Sequence, residues 1–61
     1  MIYTALEKKQ AVEREIALRK RVYPNRVLTG RMTQAQADFQ IAIFEEIRDD
    51  YQRVNLSERL L

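Results

Sequence analysis

Apolar residues recur at helical spacing in two runs along this chain, and between them stand its only proline and only glycine. In the first run Ala5, Val12, Ile16, Tyr23 and Val27 follow one another at steps of seven and four. At about 100° per residue that spacing collects them on one narrow stripe. A second line, Ala11, Leu18 and Val22, lies roughly 100–150° around the same helix, with Lys8, Glu15, Arg19 and Arg26 between the two. Two apolar lines on one helix imply two neighbours. In the second run Ala37, Ile41, Phe44, Ile47, Tyr51 and Val54 form the main face, and Phe39 and Ile43 widen it. That arc spans roughly 200°, whereas a helix resting on a single core needs a stripe of about 100° or somewhat more. One partner helix therefore leaves part of it bare.

The ends of both runs carry their own signals. Thr4 with Glu7, and Thr33 with Gln36, have the capping-box spacing, in which each side chain satisfies a free N–H of the other residue. Pro24 lacks an N–H and disfavours the helical region for Tyr23. Because Val27 continues the stripe beyond it, a kink at Pro24 is expected in preference to a helix end near Val22. Gly30 is suited to the left-handed residue that closes a helix. The expected layout is a single all-α domain, residues 1–61. Helix one covers about 4–29 with the kink at Pro24, the turn about 30–33, and helix two about 34–54. Asn55 is read as the helix end, and 55–61 as a tail, frayed or turned to dock Leu60; residues 1–3 are read as a loosely held start. So short a connection makes the helices antiparallel neighbours, a two-helix hairpin.

Size sharpens this picture. A chain of 61 residues buries only about 60% of the surface it exposes when unfolded, and small folds compensate with disulfides, a structural metal or oligomerisation. The chain has no Cys and no His, which removes disulfides and nearly all transition-metal sites. The expectation is a homodimer, two hairpins forming a four-helix bundle, with Ile41, Phe44, Ile47 and Tyr51 in the dimer core. Charge is divided unevenly. Residues 1–31 hold eight Lys or Arg against three Glu, and residues 32–61 hold three Arg against six acids. Packing the halves side by side neutralises both. No long apolar run suits a membrane span, and Glu7, Lys8 and Lys9 stand where a signal peptide needs an apolar centre. A soluble cytoplasmic protein is expected.

The residue types argue against catalysis. His and Cys, the commonest acid–base and nucleophilic groups, are missing, and Ser57 is the only serine, with no candidate base. Glu45 with Asp49, and Glu46 with Asp50, stack at four-residue spacing and are able in principle to hold a divalent cation. A solvated acidic face paired with Arg48 and Arg53 is the plainer reading. No Gly-rich phosphate loop occurs, and neither cofactor nor metal is expected. Arg19-Lys20-Arg21 with Arg14, Arg26 and Arg31 is the strongest basic feature, and nucleic acid is the alternative partner it raises. Yet these residues spread over several sides of the helix, and helix two is acidic where a major-groove reader is basic. An interfacial membrane helix fits no better, because the basic residues ring helix one. The turn residues Tyr23, Pro24, Arg26, Gly30, Arg31 and Met32 read either as an exposed recognition tip or as structure, with Tyr23 and Val27 closing the bundle end and Met32 an apolar staple ahead of the Thr33 cap. For Tyr23, Pro24 and Gly30 the structural reading is the plainer. Arg14, Arg21, Arg26 and Arg31 are the candidate partner contacts.

The run Arg14 to Pro24, followed by Val27, then Gly30-Arg31-Met32-Thr33 and Ala37, resembles a family of short proteins encoded by bacteriophages and prophages. The likeness covers roughly residues 13 to 51. Its most specific part is Val-Tyr-Pro six residues ahead of Gly-Arg-Met-Thr. Among such proteins it is similar to the anti-quorum-sensing, anti-activator type of Pseudomonas phages. Those are dimers of helical hairpins that inhibit a host quorum-sensing transcription activator and a pilus assembly ATPase. The resemblance implies a non-enzymatic inhibitor of a host protein, acting by protein–protein contact. It carries over no binding residue, and the chain from Gln52 onward lies outside it.

Overall fold

The structure is a computed structural model and describes residues 2–60. Two helices, α1 (Ala5–Leu28) and α2 (Gln34–Leu60), double back against each other into an antiparallel hairpin, a rod of 48 × 16 × 15 Å.

Both helix starts are closed by reciprocal hydrogen bonds. The Thr4 N–H donates to Glu7 Oε1 (3.1 Å) while the Glu7 N–H donates to Thr4 Oγ1 (3.1 Å). Thr33 and Gln36 repeat the pattern at α2, at 2.9 and 3.1 Å. Each pair satisfies two backbone donors that a helix start leaves free.

The backbone of α1 stays helical through Pro24. A proline in a helix interior costs about 3 kcal/mol. Tyr23, buried at 8% exposed, and half-buried Val27 lie on either side of it and face α2. Burying large apolar side chains contributes about 1.5–3 kcal/mol each, enough to carry the helix past the proline. α1 ends at a double main-chain bond: the Gly30 N–H donates to Val27 O (3.1 Å) and the Arg31 N–H to Arg26 O (2.9 Å). Gly30 has φ +76, the left-handed conformation that this Schellman closure requires. Thr29, expected as the last helical residue, is the C-cap, and its hydroxyl donates to Asn25 O at 3.0 Å.

Residues at steps of three and four form the seam between the helices. Ala5, Val12, Ile16, Tyr23 and Val27 come from α1, and Ala37, Ile41, Phe44 and Tyr51 from α2. Polar residues occupy or border the same spacing: Lys9 and, at its edge, Arg19 on α1, Arg48 and Asn55 on α2. The core is correspondingly thin. Among the described residues only Ala5, Ile16, Tyr23, Ala37 and Asn55 are buried, and no side chain is fully enclosed.

One expectation is corrected. α2 does not end at Asn55 but runs to Leu60, and Asn55 is buried at 7% exposed. Asn55 follows Tyr51 by four and Phe44 by eleven, which puts it on the seam, where packing outweighs the modest helix propensity of asparagine. No Gly or Pro follows to stop the helix. Positions 55–60 are therefore neither frayed nor a turn; Met1 and Leu61, the extremes of the expected loose start and tail, lie outside the described residues.

Candidate interaction surfaces

Three contacts fix how the helices face each other. The Arg19 guanidinium stands over the Phe44 ring, 4.1 Å from its centroid, and Lys8 Nζ lies 5.7 Å from the centroid of Tyr51. Lys20 pairs with Glu45 at 3.6 Å. On the helical wheel Lys8 and Arg19 lie to one side of the α1 seam and Lys20 to the other; Phe44 and Tyr51 likewise lie opposite Glu45 on α2. The hairpin therefore has two unlike flanks.

On the flank marked by Arg19 and Phe44, α1 contributes Ala11, Leu18 and Val22, and α2 contributes Phe39, Ile43, Ile47 and Val54. Leu18 is 43% exposed, Ile43 38%, Val54 42% and Phe39 62%. This is the apolar surplus that the spacing of both runs foretold, gathered on one side. The opposite flank, Leu6 and Leu56 apart, is polar. It holds Lys9 paired with Glu13 (3.6 Å), the Lys20–Glu45 pair, and Arg48 with Asp49 (3.0 Å).

Ile41, Phe44 and Tyr51 sit on the seam, half-buried within the single hairpin, and Ile47 stands at the edge of the apolar flank. The spacing does not reveal that Arg19 reaches Phe44. Arg19 also pairs with Glu15, and that hydrogen bond, opposed by partial burial, raises its pKa above the ordinary guanidinium value. Its Nε is enclosed without a partner. The signal for this position was its place at three and four residues from Ile16 and Tyr23, which an apolar-only pattern passes over.

Among the described residues the side chains of Arg14, Arg21 and Arg31 make no ion pair, hydrogen bond or ring contact, and all three are exposed. Arg26 lies 5.8 Å from the ring of Tyr23. The turn brings Arg26 and Arg31 together through their main-chain bond, while Arg14 and Arg21 lie along the outer side of α1. The four do not form one cluster.

The paired carboxylates do not assemble into a metal cage. Asp50 pairs with Arg53, Asp49 with Arg48 and Glu45 with Lys20. The described residues include no group of three potential ligands able to hold an ion. No described helix is long and apolar enough to cross a membrane. No protein-family model, curated protein or solved structure matches the chain significantly.

Proposed function

We propose that this chain is a non-enzymatic binding protein that works as a homodimer and occupies a host protein through protein–protein contact, blocking it. The observation that carries the reading is the one-sided apolar flank of Leu18, Val22, Ile43, Ile47 and Val54 on a hairpin whose own seam is thin. Burial yields about 25 cal/mol per Å² of apolar surface. A second copy laid on this flank extends the core of both hairpins into a four-helix bundle. The inhibitory role follows the resemblance of residues 13–51 to phage-encoded anti-activators, and the unpaired Arg21 and Arg31 supply charge for recognition.

Two measurements test this. Sedimentation should give a dimer at micromolar concentration, and Ile43→Asp should dissociate it; a folded monomer with the natural sequence rejects the scaffold. A tagged chain should then retain one host protein after nuclease treatment and at raised salt. Retention of nucleic acid that weakens steeply with salt would favour the basic residues of α1 as phosphate contacts instead.

A further inference from the structure

The distribution of charge over the two helices decides how a second copy sits. α1 carries seven Lys or Arg against three Glu, and α2 carries three Arg against six acids. Flank-to-flank pairing of identical hairpins allows two closed arrangements. With the two-fold axis across the helices, α1 lies on the other α1 and α2 on the other α2. With the axis along the helices, each α1 lies on the other copy's α2. Adjacent helices are antiparallel in both, so helix dipoles do not choose between them. Net charge does. The first arrangement stacks two basic helices and two acidic ones, whereas the second gives every helix two neighbours of opposite sign.

Register favours the same choice. An axis along the helices leaves heights unchanged, so each α1 residue meets the level on the other α2 that it already faces in its own hairpin. Arg19 faces Phe44 and Lys8 faces Tyr51, which puts Arg14 level with the Glu46–Asp50 turn. Arg14 lies on the outer rim of the α1 flank, and Glu46 on the outer rim of the α2 flank. Arg14 is unpaired within its own hairpin, and so is Glu46. Leu18 and Val22 meanwhile come level with Ile43 and Phe39.

Resting on the dimer reading above, we infer that two copies pack with the two-fold axis along the helices, each α1 on the other's α2, with Arg14 beside Glu46 of the second copy. Both turns then lie at one end, and Arg26 and Arg31 of the two copies form a shared basic pole. Mutual repulsion there is weak, because the groups are exposed and the screening length at physiological salt is about 8 Å. The net charges of adjacent helices are opposite throughout the bundle. The basic pole fits an acidic segment of a protein partner.

Spin labels test the arrangement directly, since the chain has no Cys. Arg31→Cys, and separately Ile2→Cys, which keeps every arginine, should each give an intermolecular separation of two or three helix diameters, ~20–30 Å. Separations near the 48 Å length of the rod overturn the orientation while leaving the dimer intact. Absence of intermolecular coupling overturns both. Arg14→Glu should weaken association roughly tenfold, since two symmetric pairs turn repulsive, and adding Glu46→Arg should restore it. Unchanged association in the single variant, or no recovery in the double, overturns the pairing of Arg14 with Glu46.

Discussion

The guanidinium carbon of Arg19 stands 4.1 Å from the centre of the Phe44 ring, so a charge on α1 covers the central aromatic of α2. A cation over an aromatic face contributes about 0.5–1 kcal/mol at exposed sites and more when desolvated, and the arginine stem adds apolar cover. Arg19→Ala should therefore lower stability in urea by about 1–2 kcal/mol, and Arg19→Met, which keeps the stem, by less. Equal losses in the two variants would show that the charge contributes nothing.

The pH dependence of that contact has a definite sign. The hydrogen bond that Arg19 donates to the Glu15 carboxylate raises the Arg19 pKa. A raised basic group contributes stability that is fully present below its unfolded value and lost as pH rises through its folded value. Between pH 5 and pH 10 the difference in stability between the natural chain and Arg19→Ala should thus show no step attributable to Arg19. A guanidinium step inside that window would contradict the assignment.

Gly30 closes α1 at φ +76, and nothing stands within 4 Å of the place a Cβ would occupy. The cost of Gly30→Ala is accordingly conformational, about 1–2 kcal/mol for an L-residue in the left-handed region. Gly30→Asn should cost less, because asparagine tolerates that region better. Thermal unfolding of the two variants ranks them, and the reverse order would mean that space limits the position.

Thr33→Ala removes the acceptor for the Gln36 N–H and should cost about 1 kcal/mol. Thr33→Ser should recover most of it. Chemical denaturation measures both, and a neutral Thr33→Ala would show that water replaces the cap without loss.

The Lys20–Glu45 pair spans the hairpin on its polar flank, with side chains 55% and 37% exposed. Exposed pairs contribute at most about 1 kcal/mol and are screened by salt. A double-mutant cycle should return a coupling of a few tenths of a kcal/mol that shrinks as salt rises. A coupling that persists in molar salt would place the pair in a drier setting than this geometry gives.

How much of this could be read from the chain depended on which physical effect governed each residue. The capping threonines and Gly30 act within a few residues of themselves, so Thr4, Thr33 and the turn were legible locally. The second apolar line of Leu18 and Val22 was legible too, because periodicity records faces even when it does not say what covers them. Asn55 was misread because its fate depends on the helix opposite, which turns a weak helix former into a buried seam residue. Arg19 escaped for the same reason: what it touches lies 25 positions away in sequence, and its class alone marks it as a surface charge. The division of the four candidate arginines, Arg26 and Arg31 at the turn and Arg14 with Arg21 on one face of α1, was legible from position and spacing.

Because the chain reverses once, Ile2 and Leu60 lie at the same end of the rod, remote from the loop that carries Arg31. An affinity handle, dye or surface tether joined at either extremity thus stands clear of that loop. Immobilised this way, the molecule offers Arg26 and Arg31 outward to whatever flows past.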